Sequence, residues 1–340
     1  MTDTLPVLPD CPAVLQIPVR AALRGLPAGT QRVAAAVSGG ADSAMLALAT
    51  AHAARGLGLD LVLFHIHHGL QMQADDWSAH VEALGRLLGV PVMQARVRVP
   101  GDTGKGIEAA ARQARYEALA GLARQAEVGH ILLAHHQDDQ AETVLLRLLR
   151  GTGLEGMAAM AECTRRDGLC YVRPWLAVPR TAIRQAAADF ADALGWHPVE
   201  DPTNTDARYT RAAVRAQLKP VLDARWPGWQ AIVARHARHM AEAAQVLAEV
   251  AQADLAALDF SQRDASFSLA AWRGLSPARQ AHVLRYWLAG QGLPMPSDAR
   301  LAELARQLRQ LHALGHDRNL RMPHAGRVIA CVCGRVLLLS

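Results

Sequence analysis

Four short blocks of the 340-residue chain gather side chains able to bind an anion, hold a cation or move a proton. The first, SGGADS at 38–43, sets Ser38, Gly39, Gly40, Asp42 and Ser43 between an apolar run and an Ala/Leu-rich helical stretch. Two glycines let backbone N–H groups turn to one point, and the helix that follows aims its unpaired N–H groups and positive dipole end at the same place. That arrangement binds an anion. It is not a Walker A loop, because no Gly-Lys-Ser/Thr follows, and it lacks the third glycine of the dinucleotide fingerprint. Asp42 repels bare phosphate, so a polyphosphate carrying Mg²⁺ satisfies the hydroxyls, the N–H groups and the carboxylate together. Taken alone, the block also reads as a helix entry capped by Asp42 or Ser43.

The second block, FHIHHGL at 64–70, carries His65, His67 and His68; the third, AARQARYEAL at 110–119, puts Arg112 and Arg115 three apart on one helix face beside Tyr116. The fourth, ILLAHHQDDQAETVLLRLLRGTG at 131–153, concentrates His135, His136, Asp138, Asp139 and Glu142 where a strand meets its helix. Each has an ordinary reading: surface histidines, a solvated arginine face, acids at a helix N-terminus. Three polar clusters placed after successive strands of one sheet are harder to dismiss.

The elements that must position them are short apolar runs, RVAAAV, DLVLFHI, VPVMQARV and HILLA, alternating with Ala-rich helical patterns over the first 150 residues. This rhythm predicts a doubly wound parallel sheet with helices on both faces. Ligands of such sheets sit at the carboxyl ends of the strands, where all four blocks fall.

Composition agrees with a globular chain: 51% apolar, 20% charged, and no run of about 18 apolar residues to span a membrane. The start, MTDTLPVLPDCPAV, lacks the basic-then-apolar pattern of a signal peptide, so export is not expected and a cytoplasmic location is. Five cysteines without a C-x-x-C pair argue against a disulfide framework and a zinc knuckle, and Cys331 and Cys333 read as buried strand cysteines. From residue 205 onward there are 18 Lys/Arg against 10 Asp/Glu, whereas the first 204 residues hold 18 against 21, so the basic character is C-terminal. Only Lys105 and Lys219 are lysines. Arginine suits bidentate phosphate contacts, although a GC-rich genome produces the same preference.

Taken together, the four blocks in this order, with Arg147-x-x-Arg150-Gly-Thr-Gly, RPWLAVPR at 173–180 and the long segment at 199–229, resemble the tRNA(Ile)-lysidine synthetase family of the N-type ATP pyrophosphatases. The resemblance covers about the first 230 residues strongly and the remainder weakly. It implies an α/β fold, a doubly wound parallel sheet of the PP-loop (adenine nucleotide alpha hydrolase-like) type, with a helical substrate-binding C-terminal region. It also implies ATP and Mg²⁺ at the first loop, adenylation of C2 of cytidine 34 in a tRNA(Ile) with anticodon CAU, and displacement of AMP by the ε-amine of free L-lysine. By the same resemblance, Ser38, Gly39, Gly40, Asp42, Ser43 and His65 bind ATP. Asp42 and Asp139 hold the metal, and Asp42, Arg115, His135, Asp139 and Glu142 serve catalysis. Arg112, Arg211 and Arg215 meet the tRNA, and either Asp139 or Glu142 takes the proton from lysine. The chain carries His67, Gln71 and Ala212 where the family usually has Asn, Arg and Asn. Longer relatives have a further C-terminal tRNA-gripping subdomain, part of which has no counterpart here. A homodimer is among the assemblies the reading allows, and no membrane partner is expected.

The expected organisation is a catalytic domain at 1–220, a helical linker region at 221–264 and a tRNA-contacting domain at 265–340. Within it, 229–258 reads as one long helix, SQRDAS at 261–266 as a polar linker, 276–292 and 296–311 as amphipathic helices, and the stretch after Asn319 as short strands. Trp226, Trp229 and Trp287 read as core residues rather than base-stacking platforms. Two competing functions share parts of this pattern. A PP-loop thiolase would bring C-x-x-C pairs, which are absent, and a tRNA-binding module with a degenerate pocket would not need Asp42, Asp139 and Glu142 intact.

Overall fold

The structure, a computed structural model, describes residues 7–67, 74–97, 107–199, 210–311 and 320–339. His68 and Gln71 lie outside the described residues. The chain forms two compact units, Met1–Met240 and Ala241–Ser340. The division falls inside a helix of the segment at 221–264, which is therefore shared between the units.

The first unit is built on a six-stranded sheet in the order β3-β2-β1-β4-β6-β5. Its strands are β1 (Arg32–Ala36), β2 (Asp60–His67), β3 (Val92–Arg96), β4 (His130–Leu132), β5 (Cys163–Arg166) and β6 (Leu169–Val172). All pairings are parallel except β5 with β6, a hairpin the alternating pattern does not announce. Strand β1 is apolar throughout after Arg32 because both of its faces are covered. On one face pack α1 (Ala13–Arg24), α2 (Ala41–Arg55), α3 (Ala74–Leu88) and α7 (Arg180–Leu194), around Met45, Leu63, Trp175 and Phe190. On the other packs α4 (Ile107–Gln125), with Phe64, Leu119, Tyr116 and Tyr171. Helix α2 is buried from Ser43 to Ala54 on nearly every side, and its alanines are what let it sit so deep between sheet and helices. Close packing also explains Gly85 of α3, where a Cβ would collide with Val92 and the Val90 carbonyl.

Helices α5 (Gln137–Leu149) and α6 (Leu154–Met157) lie between β4 and β5. After α7 the unit continues through α8 (Thr210–Ala213), a π-helical turn (Val214–Leu218), α9 (Lys219–Arg225) and the start of α10 (Trp229–Ala257). Trp229 is buried and donates to Asp223 at 2.9 Å, while Trp226 is 53% exposed with the Arg225 guanidinium 5.6 Å from its ring centre, so Trp226 departs from the core expectation. Cys163 and Cys170 are joined across the β5–β6 hairpin, contrary to the reading of unpaired cysteines; strand pairing brought together two residues whose spacing carries no motif.

The second unit sets the end of α10, α11 (Leu269–Arg273), α12 (Pro277–Gly290) and α13 (Asp298–Gln310) with a four-stranded antiparallel sheet in the order β7-β10-β9-β8. Its strands are β7 (Phe267–Ser268), β8 (Arg321–His324), β9 (Arg327–Val332) and β10 (Arg335–Leu339). Its core holds Phe267, Trp272, Trp287 and Leu304. SQRDAS is not a linker: Ser261 N–H donates to the Ser266 carbonyl at 2.8 Å, and Arg335 ties Ser266 Oγ (2.7 Å) to Asp259 (2.7 Å). Polarity here serves a closed turn. Cys331 is buried in β9 as expected, but Cys333 is exposed in the β9–β10 turn at φ 48°. Among the described residues no helix is long and apolar enough to cross a membrane.

Candidate active site

Strands β2 and β3 lie to one side of β1 and β4 to the other, so the chain's direction of winding reverses between β1 and β4. The crevice outside their carboxyl ends is where a sheet of this kind holds its ligand. Residues 38–40 leave β1 there. Gly39 has φ +94°, a conformation that favours glycine, and its carbonyl accepts from Val199 N–H at 2.9 Å. The Ser43 hydroxyl donates to the Gly40 carbonyl at 3.1 Å and accepts from Ser38 N–H at 3.1 Å, with Ser38 Oγ also 3.1 Å away. Gly40 caps α2 in an extended conformation without a side-chain cap bond, so neither Asp42 nor Ser43 is the capping group. The loop thus presents backbone and hydroxyl donors at the N-terminal end of α2, with Asp42 in its first turn.

Strand β4 delivers the second half. His136 caps α5 in a capping box: its Nδ1 accepts from Asp139 N–H at 3.4 Å, and its own N–H donates to Asp139 Oδ2 at 3.2 Å. With Nδ1 accepting, the ring proton sits on Nε2, which lies 3.4 Å from Asp139 Oδ2 and 3.7 Å from Asp42 Oδ2. One imidazole therefore links the first loop to α5. Burial pushes the His136 pKa down, but the nearby carboxylates of Asp42, Asp139 and Asp138 outweigh it and raise it above its ordinary value. Burial likewise pushes Asp42 up, and His136, Arg180 and Arg215 together bring it below its ordinary value.

Two arginines close the site from the C-terminal side of the unit. Arg215, in the π-helical turn, donates from Nε to Glu142 Oε1 at 2.7 Å and from Nη2 to Asp139 Oδ1 at 3.1 Å. Arg211, in α8, lies 3.9 Å from Asp139 Oδ1 and 3.8 Å from Glu142 Oε2, and its Nη2 donates to Thr143 Oγ1 at 3.0 Å. Asp139 and Glu142 sit three residues apart on one face of α5, so one arginine spans both carboxylates. A π-helical turn is a frequent mark of a functional site, and here it aims Arg215 inward.

Of the expected site residues, Ser38, Gly39, Gly40, Asp42, Ser43, Asp139, Glu142, Arg211 and Arg215 gather in this crevice. His65 is buried beside it, its Nδ1 donating to the Val37 carbonyl at 2.8 Å; burial lowers its pKa, which leaves Nε2 as an acceptor. His135 is pushed down to about 3 by burial and by Arg173, Arg115 and Arg211, against Asp139, and is therefore neutral at pH 7. That shared electrostatic influence on His135 ties Arg115 to the site. Arg112 lies one turn before Arg115 on α4, donating to Tyr116 Oη at 3.4 Å.

Sequence reasoning missed Arg180. Its Nη2 reaches Asp42 Oδ2 at 3.5 Å and its N–H donates to Asp138 Oδ1 at 3.3 Å. A signal existed, since a cation in the first turn of a helix opposes the dipole and needs an anion elsewhere to hold it. The same reasoning underrated His136. Buried Asp42 Oδ1, His135 Nδ1, Glu142 Oε2 and Arg180 Nε have no hydrogen-bond partner among the described residues, a set of polar atoms suited to a charged, oxygen-rich ligand. No three His, Cys, Asp or Glu residues converge on a point among the described residues, so a cation at Asp42 needs most of its ligands from phosphate or water.

This fold, loop and acid–arginine frame define an ATP-using PP-loop domain, and the PP-loop domain model matches residues 15–222 while the TilS substrate binding domain model matches 267–337. The tRNA(Ile)-lysidine synthase of Bordetella bronchiseptica is 67% identical over 97% of this chain and 96% of its own. That of Ralstonia nicotianae is 47% identical over 87% of this chain and 63% of its own. Among solved structures, a U34-tRNA thiolase from Methanococcus maripaludis shares the fold at TM-score 0.56 and 15% identity, covering 67% of this chain and 78% of its own. The chain belongs to the tRNA(Ile)-lysidine synthase family.

Proposed function

We infer that the protein ligates free L-lysine to C2 of cytidine 34 in the CAU anticodon of tRNA(Ile), by way of an adenylated tRNA. In the first step O2 of the cytosine attacks the α-phosphorus of ATP and pyrophosphate leaves. In the second the ε-amine of lysine attacks C2, AMP leaves with O2, and the proton shed by the amine passes to a carboxylate. The observation that carries this reading is the pair Asp139 and Glu142, held by Arg211 and Arg215 beside an anion-binding loop and linked to Asp42 through His136.

The loop donors of residues 38–43 and the first turn of α2 suit the departing pyrophosphate. Asp42, with one buried unpartnered oxygen, and Asp139 across the His136 ring are the residues that would hold Mg²⁺, which supplies charge neutralisation at the phosphates. Arg115 adds a guanidinium near developing negative charge, and the His65 Nε2 acceptor suits an exocyclic amino group of a base. Neutral His135 is too weakly basic to take a proton at pH 7 and instead orients by hydrogen bonding. Asp139 and Glu142 attract the lysine ammonium and are the groups placed to deprotonate it. Arg112, Arg211 and Arg215 supply cations for the RNA backbone around the target base. The protein acts on its RNA in the cytoplasm, without a membrane.

The test uses ATP labelled at the α-phosphorus, an unmodified CAU transcript and no lysine. Label should become tRNA-bound and be discharged as AMP when lysine is added. Label that never reaches tRNA, while lysine is still incorporated, would exclude the adenylated intermediate.

A further inference from the structure

Of the seven tryptophans, Trp175, Trp196, Trp229, Trp272 and Trp287 are buried and Trp77 is half-buried; only Trp226 is exposed. Its backbone is nevertheless pinned. Trp226 ends α9, its N–H donating to the Leu222 carbonyl at 2.8 Å and its carbonyl accepting from Trp229 N–H at 3.0 Å. Pro227 fixes the next φ, and Gly228 takes φ +78°, where a side chain is disfavoured. Asp223 braces the same turn, accepting from Lys219 Nζ at 2.7 Å, Trp229 Nε1 at 2.9 Å and Gln230 Nε2 at 3.0 Å. The turn thus sinks one indole and holds the other out in a fixed place.

The surroundings of that exposed ring are cationic. The Arg225 guanidinium stands over it, 5.6 Å from the ring centre, within cation–π reach, and leaves the rest of the indole to solvent. Arg225 has no carboxylate partner among the described residues. Residues 210–238 carry six Lys/Arg against one acid, and that acid, Asp223, is spent on the turn. A flat ring backed by a guanidinium in a basic segment suits an unpaired base with phosphates on either side. An apolar protein surface docking here would instead bury cations without partners. The same helical run carries Arg215 into the site, roughly 16 Å back along its axis at about 1.5 Å per residue.

We propose that Trp226, backed by Arg225, is a stacking platform for an unpaired base of the RNA loop that holds the target nucleotide. It rests on the reading above and adds a base contact outside the reacting centre. Stacking uses the π-face that every base has, so the platform positions the loop without reading its sequence.

Trp226→Ala removes the ring and leaves the pinned backbone in place. Affinity for an unmodified CAU transcript is measured by fluorescence anisotropy between ~50 and ~200 mM KCl. The expected Kd is roughly 5- to 150-fold weaker, the range for losing one base–aromatic stack. The log–log salt slope should not change, because no phosphate contact is lost, whereas Arg225→Gln should make it shallower by roughly 0.7–0.9. Trp226→Tyr should recover most of the affinity, Tm should be unchanged, and the loss should appear in KM for tRNA and not in kcat. On a transcript made abasic on both sides of position 34, wild type and Trp226→Ala should bind alike. Equal Kd for the two proteins on the intact transcript, the result a protein-docking role predicts, overturns the platform, as does a loss that persists on the abasic one. Failure of wild type to release pyrophosphate with tRNA would instead remove the reading beneath it.

Discussion

Glu142→Gln removes one negative charge and little volume from the site. Glu142 is 3% exposed, and its Oε1 receives the 2.7 Å bond from Arg215, whose Nη2 keeps Asp139 at 3.1 Å. Breaking a buried pair outright costs about 3–5 kcal/mol, but Arg215 retains one carboxylate and partial access to solvent. The stability loss is therefore about 1–2 kcal/mol, a fall in Tm of roughly 2–8 °C for a unit of this size. Loss of a group that holds the lysine ammonium and takes its proton lowers the second step by about 10²–10⁴. The SGGADS loop and Asp42 are untouched, so adenylation should stay near the wild-type rate. The distinction needs two readouts on one sample: pyrophosphate release with tRNA, and lysine incorporation. Lysine incorporation at the wild-type rate, or an equal fall in both readouts, would refute the assignment of Glu142 to the second step.

Asp42→Asn should abolish pyrophosphate release while leaving tRNA affinity by anisotropy intact; retained release would remove Asp42 from the phosphate site. Asp42 has a pKa depressed in the folded protein, so its charge contributes stability above the ordinary carboxylate range and loses it as pH falls through the depressed value. The Tm gap between wild type and Asp42→Asn should accordingly shrink on acidification from pH 6 toward pH 3, and a gap that widens would contradict the sign. Arg180→Gln should raise KM for ATP with KM for lysine unchanged, since its guanidinium faces Asp42 and not the Asp139–Glu142 pair. Gly39→Ala keeps ordinary contacts with Val199 and Val81 but forces φ +94° on a side chain, costing about 1–3 kcal/mol, read as a lower Tm together with a higher KM for ATP.

Much of the frame was legible because β1, β2 and β4 are unbroken apolar runs whose ends carry polar blocks, and period and position say the same thing there. Asp42, Asp139 and Glu142 followed from that placement. Arg211 and Arg215 came from resemblance, since nothing local says that a segment 70 residues downstream folds back onto α5. His136 and Arg180 escaped because each acts through a partner distant in sequence, one as a cap that also reaches Asp42, the other as a cation misplaced for its own helix. The β5–β6 hairpin was hidden for a different reason: its strands are four residues each, polar on β5, and carry no strong alternation. SQRDAS misled because polar turn residues look alike whether they separate domains or close a turn tied down by Arg335.

The central claim is tested most directly by labelled lysine offered with ATP and Mg²⁺ to two unmodified tRNA(Ile) transcripts that differ only at position 34. Incorporation into the C34 transcript and none into the U34 transcript is the predicted result. Equal label in both, or label in neither while pyrophosphate is released, would contradict it.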